Sequence, residues 1–249
     1  MNIVISANCQ GEAIRRIIAS WNDPKIFAYQ LYNYLENPDF SGKWQDIDVF
    51  VYQHSHGIDE MLDRLRPDCV KISFPNIYNS GLFLFYEQGE PKHFKNMEII
   101  EQRIHFGMPL HEILHDFATM QIDMLINERM AWSVAKLEDR ERMCDVKCCS
   151  RIIREQHRLQ RLFNTQNHPK NMLLYAVTNE ICKLAGLPEI PADAYNGTDI
   201  TDSIDATQYP ASPYEIQALK LPYQPTPGWL EHYSGMIRRL YETINLHSV

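Results

Sequence analysis

Cys9 closes an apolar, β-branched run, Ile3-Val4-Ile5, and opens a segment in which Ala13, Ile14, Ile17 and Ile18 recur at helical spacing. A thiol at such a strand-to-helix turn meets unpaired backbone N–H groups and the positive end of the helix dipole. These favour thiolate over thiol and can hold a developing oxyanion. Asn8, Gln10 and the amide of Gly11 add donors on either side. The same turn also suits an inert buried thiol, and local sequence does not separate the two. Far along the chain, Leu162-Phe163-Asn164-Thr165-Gln166-Asn167-His168-Pro169 places a histidine in a loop before a helix expected from Pro169, either a loop for chemistry or a capping loop in which Asn167 caps and His168 is incidental. Brought over the end of the first strand, His168 would serve Cys9 as general base.

A louder string competes with this pair. His111-Glu112-Ile113-Leu114-His115 matches H-E-x-x-H, which on a helix offers zinc two imidazoles and a glutamate base, the chemistry of a zinc metallopeptidase. Pro109 leaves little helix before the first ligand, Asp116 puts a charge after the second, and the downstream Glu128, Glu138 and Glu141 lie in charged helix surface. The expectation is two histidines on an amphipathic helix, with no metal.

The elements that must position these groups follow from periodicity. Lys25–Tyr34, Asp48–Gln53 and Cys69–Phe74 read as further strands, and Ile58–Leu65 reads as a helix with Met61, Leu62 and Leu65 inward. Strands separated by helices imply parallel pairing, with functional loops at the carboxyl ends. Gln53, His54 and Asn76 fall at those ends and are the expected pocket residues. From Lys95 the pattern is helical, over Met97–Phe106, Leu110 to about Lys136, Arg140–Leu162, Lys170–Leu184 and Trp229–Leu246. Pro188–Pro227 reads as a surface connection with a short helix over Tyr214–Leu219. The whole, 1–249, is expected to be one α/β domain with a core over 1–186 and a C-terminal extension over 187–249.

Composition excludes several classes. A net charge of -8 argues against a general nucleic-acid surface, although Lys147, Arg151, Arg154, Arg158 and Arg161 suggest one local basic stripe able to meet phosphates. No apolar run approaches the roughly 20 residues that span a membrane, and no export signal precedes the first strand. The six cysteines lack paired C-x-x-C spacing, so neither a disulfide framework nor a zinc knuckle is indicated and a reducing, cytoplasmic setting is expected. Asn196-Gly197-Thr198 reads as a turn rather than a glycosylation site.

Ala7-Asn8-Cys9-Gln10 after the first strand, Gln53 after a later one, Arg140-Glu141 placed at a helix start, and Leu162-Phe163 followed by Asn167-His168-Pro169 resemble the WcbI family, assigned to acetyl transfer in capsular polysaccharide biosynthesis. The resemblance covers residues 2 to about 186. It implies an SGNH- or flavodoxin-like three-layer α/β fold, with a short, mostly parallel sheet and a large helical C-terminal portion. It also implies binding of coenzyme A or acetyl-CoA, and acyl transfer to a sugar or glycan hydroxyl. Cys9 takes the place of the SGNH serine and His168 that of its histidine, while Thr165 stands where that pattern has an aspartate. Gly11, Gln53, His54, Asn76, Arg140, Arg151 and Asn167 are the expected cofactor and substrate contacts, Arg140 and Arg151 meeting phosphates. An SGNH-like esterase and a non-catalytic coenzyme A or nucleotide-binding module remain the alternative readings.

Overall fold

The computed structural model describes residues 1–21, 23–35, 42–89, 93–191 and 209–246. They fall into two compact units: one of Met1–Asn79, Val134–His157 and Leu162–Thr207, the other of Ser80–Ser133, Arg158–Arg161 and Gln208–Val249.

The first unit begins with β1 (Asn2–Ala7), α1 (Cys9–Ser20), β2 (Phe27–Tyr32), β3 (Val49–Tyr52), α2 (Ile58–Asp63) and β4 (Val70–Ser73). The four strands are all parallel, in the order β2-β1-β3-β4. From β1 the chain steps outward to β2, then returns past β1 to β3 and β4. Right-handed crossovers running in opposite directions put α1 and α2 on opposite faces. Alternation then sorts the side chains: Val4, Leu31 and Phe50 pack with Ile58 and Leu65 on the α2 side, with Met61 and Leu62 partly buried against them. Ile3, Ile5, Val49 and Val51 are buried as well, so both faces are covered, as an all-parallel sheet requires.

In the second unit follow β5 (Tyr86–Gln88), antiparallel to β6 (His93–Lys95), then α3 (Glu98–His105), α4 (Leu110–Ala118) and the start of α5 (Ile126–Arg142). The single helix expected over Leu110–Lys136 is therefore two. Met120 and Leu125 adopt left-handed backbone at φ 58° and 49°, and no proline or glycine marks the break. Buried Ile122 and Met124 drive it, since packing both requires an irregular turn between the helices.

The chain returns to the first unit within α5, at Val134, and α6 (Cys149–Gln156), β7 (Phe163–Thr165), β8 (His168–Pro169) and α7 (Asn171–Leu184) follow in it. Arg140–Leu162 is not one helix: α5 runs on to Arg142, a turn follows, and α6 restarts after it. Asp145 in that turn takes hydrogen bonds from the Ser73 amide (2.8 Å) and hydroxyl (2.7 Å), clamping the turn to the end of β4. Because α6 ends at Gln156, Arg158 and Arg161 lie off it and the expected basic stripe is broken. Pro169 pairs with Phe163 in a two-stranded turn rather than starting a helix, and Lys170, not Asn167, precedes the first residue of α7.

Last come α8 (Pro213–Leu219), opened by a Ser212–Glu215 capping box, and α9 (Trp229–Leu246), both in the second unit. Phe85, Phe117, Tyr214 and Tyr233 form the aromatic core of that unit. Among the described residues no helix is long and apolar enough to cross a membrane. Asn196-Gly197-Thr198 lies outside the described residues.

Candidate active site

Cys9 is the first residue of α1 and half-buried. Asn8 is its N-cap, the side-chain oxygen accepting from the Gln10 amide at 2.9 Å. The turn sits where β1 and β3 lead their connections away in opposite directions, the point at which open α/β sheets bind ligands. Burial pushes the thiols of Cys144 and Cys182 up to about 11, as expected of core cysteines remote from any helix-start turn of this kind.

Gln10 is buried, and all four hydrogen-bonding positions of its amide are filled. Its nitrogen donates to the Ile77 carbonyl (2.7 Å) and the Asn167 carbonyl (2.8 Å), and its oxygen accepts from the Ile77 amide (3.0 Å) and Gln53 Nε2 (3.0 Å). Gln53, also buried, accepts from the Asn8 amide at 3.1 Å and donates to the Pro75 carbonyl at 3.4 Å. Both glutamines are thereby committed to holding backbone in place. Gly11 is committed too: its amide donates to the Asn8 carbonyl at 3.0 Å, and a Cβ there would lie 2.3 Å from Gln30 Oε1 and 2.8 Å from Ala7 Cβ.

Asn76 and Asn8 are the groups left facing outward. Asn8 Nδ2 donates to Asn76 Oδ1 at 3.3 Å, and the exposed Asn76 keeps its own amide nitrogen without a partner among the described residues. His54 is exposed, with Nε2 3.0 Å from the Met143 carbonyl and its ring edge-on to Tyr52.

Through Gln10 the structure brings the His168 loop to the Cys9 turn, because the residue after Cys9 holds the carbonyl of the residue before His168. Thr165, buried and opposite His168 in the β7–β8 pair, has its hydroxyl 2.8 Å from His168 Nδ1 and donates to Asn167 Oδ1 at 3.1 Å. The Gln166 carbonyl accepts from the Asn79 amide at 2.8 Å, tying this loop to the segment after β4.

Arg140 lies near the C-terminus of α5 and donates to the Tyr78 carbonyl at 3.2 Å, while its Nε is buried with no partner among the described residues. Burial lowers its pKa, yet an arginine stays cationic. Glu141 is buried and caps α6, taking the amides of Cys149 and Ser150 and the Ser150 hydroxyl. Arg140 and Glu141 thus end one helix, and only Glu141 serves the start of the next. Arg151 is exposed and paired with Glu155, and Arg154 is paired with Glu138, so neither is drawn to the Cys9 turn. In the second unit, His111 is solvent-exposed on α4, His115 likewise, and Ile113 and Phe117 form the buried face. Among the described residues no group of three or more His, Cys, Asp or Glu side chains is gathered to hold a metal.

Sequence reading missed three residues. Gln30 reaches from β2 to the carbonyls of Ala7 (2.8 Å) and Asn8 (3.3 Å), satisfying the chain end at the turn. Its signal was a long amide among aromatic strand residues. Asp145 clamps Ser73; burial pushes its carboxyl up, but the Ser73 hydrogen bonds outweigh this and hold it below its usual value. Ile77 uses only backbone and left no signal at all.

A family model described as polysaccharide biosynthesis enzyme WcbI matches residues 2–190. Among solved structures, a WcbI described as a novel polysaccharide biosynthesis enzyme, in a native form without a disulfide bond between coenzyme A and one of its cysteines, is similar in fold. Its TM-score is 0.72 at 16% identity, over 90% of this chain and 80% of that one. No curated protein matches the chain.

Proposed function

Because this chain belongs to the WcbI family of polysaccharide biosynthesis enzymes, we propose that it binds coenzyme A and transfers an acyl group from the thioester to a hydroxyl of a carbohydrate or glycan precursor. The observation that carries this reading is the Gln10 bridge, which seats a cysteine on a helix start beside a histidine loop. The related WcbI structure, described in terms of coenzyme A and a cysteine, supports the cofactor. The buried, unpartnered Nε of Arg140 supports it further, since such a guanidinium calls for an anion and the phosphates of coenzyme A supply one.

His168 takes the proton of the attacking group, either the acceptor hydroxyl or the Cys9 thiol. The attacking atom bonds to the acyl carbon, the carbon–sulfur bond breaks, and the proton passes from His168 to the leaving thiolate. On the covalent route the acyl group rests on Cys9 Sγ before the sugar oxygen displaces it. Since Gln10 and the Gly11 amide are already bonded, stabilisation of the oxyanion falls to the second proton of Asn8 Nδ2 and the outward amide of Asn76. The six free cysteines fit a reducing, cytoplasmic setting.

Intact mass spectrometry after incubation with acetyl-CoA, alongside turnover against a panel of sugars, tests the reading. The expected result is co-purifying coenzyme A and acetyl transfer that is lost in Cys9→Ala and His168→Ala. Full turnover in both variants overturns the site. Acetyl release from an aryl ester, independent of coenzyme A, makes the protein an esterase instead.

A further inference from the structure

We infer that Thr165 is the positioning residue of the site, holding His168 in the tautomer that carries its proton on Nδ1 and leaves Nε2 unprotonated. This rests on the acyl-transfer reading for its purpose, though not for its geometry.

A threonine hydroxyl has one proton to give and two lone pairs to receive with. Thr165 Oγ1 gives its proton to Asn167 Oδ1, at 3.1 Å. Facing His168 Nδ1 at 2.8 Å, the same oxygen therefore accepts, and the imidazole carries its proton on Nδ1. In a neutral ring the other nitrogen is then the acceptor. Thr165 is itself fixed: it is buried, and it stands opposite His168 in the β7–β8 pair. Asn167, next in the relay, has its carbonyl held by Gln10. The chain from Gln10 through Asn167 and Thr165 to His168 thus fixes ring orientation and proton position together.

A hydroxyl does this without charge. A carboxylate at Nδ1 would orient the ring and also stabilise the imidazolium, while Thr165 only orients.

The primary test is a long-range nitrogen–proton NMR spectrum of the unmodified protein labelled with 15N-histidine, His168 being assigned with His168→Gln. Protonated Nδ1 and bare Nε2 are expected; the opposite tautomer overturns the inference. This readout needs no substrate, so it stands apart from acyl transfer: absence of any turnover with the expected tautomer defeats the transfer reading and leaves this one intact.

Kinetics gives the second test, on variants whose folded state is checked by circular dichroism. Thr165→Val is expected to lower kcat by about 100-fold with KM little changed, as misplacement of a reacting group does. Thr165→Ser is expected to restore it. In Thr165→Asp the acid limb of the pH profile should move to higher pH, because the new carboxylate favours imidazolium. An unchanged kcat in Thr165→Val, or an unmoved limb in folded Thr165→Asp, overturns the role.

Discussion

Gln10 donates a 2.8 Å hydrogen bond to the backbone carbonyl of Asn167, joining the residue after Cys9 to the residue before His168 across 157 positions of sequence. Neither Gln10 nor Gln53 is available to a ligand, so removing one damages the scaffold first and the chemistry as a consequence.

Gln10→Ala strands the Ile77 amide and carbonyl, the Asn167 carbonyl and one proton of Gln53 in a buried setting. Each orphaned group costs about 1–3 kcal/mol, and partial relaxation brings the sum to about 3–4 kcal/mol. Urea unfolding should show this loss, with activity falling further than the folded fraction.

Gly11→Ala sets two effects against each other. Alanine in a helix gains about 1 kcal/mol over glycine. The new methyl would displace Gln30, which lies 2.3 Å away, and break its bonds to the Ala7, Asn8 and Leu31 carbonyls. Overpacking and lost hydrogen bonds together cost about 2–4 kcal/mol, so net destabilisation is expected. Calorimetry showing a raised Tm would contradict it.

Arg140→Met removes a buried cation with one backbone hydrogen bond and one unpartnered nitrogen. Losing the bond costs about 1 kcal/mol, and relieving the desolvated charge returns a similar amount, so stability should change little. Affinity for coenzyme A should fall at least about tenfold, or 1.4 kcal/mol, by titration calorimetry. Unaltered affinity would remove Arg140 from the phosphate site.

Glu215 supplies a pH dependence unrelated to chemistry. Burial pushes its carboxyl from 4.5 to about 7, against hydrogen bonds from Ser212 that pull it down. The folded state thus holds a proton that the unfolded chain releases near 4.5, so stability falls as pH rises from about 4.5 to about 7. The full drop approaches about 3 kcal/mol. Glu215→Gln, which keeps an acceptor for the Ser212 amide, should flatten that slope in unfolding measured across the range.

The four strands of the parallel sheet, the Cys9 turn and α9 were legible because their signals are local: β-branched runs, a period of 3.6 and polar caps, whereas the short pairs β5–β6 and β7–β8 carried no such signal. Trp229–Leu246 was read to its ends for that reason. The break between α4 and α5 was not legible, since left-handed Met120 and Leu125 are set by burial of Ile122 and Met124 rather than by any turn residue. Nor was the restart at α6, which depends on Glu141 and on Ser73, a residue 72 positions from its partner Asp145. Residue types pointed to Cys9 and His168. They could not show that Gln53 donates to Gln10 while both amides hold backbone, or that a threonine at position 165 meets the imidazole. Pairings over such separations exist only after the chain has closed.

That closure has a kinetic meaning. The bonds of Gln10 reach partners 43, 67 and 157 residues away. Chain-closure entropy grows with the logarithm of separation, so the longest link costs about 1 kcal/mol more to close than the shortest. The 2.8 Å bond between Gln10 and Asn167 is the most distant of these, so a nascent chain cannot join the Cys9 turn to the His168 loop until the segment after Leu162 has been made and has docked.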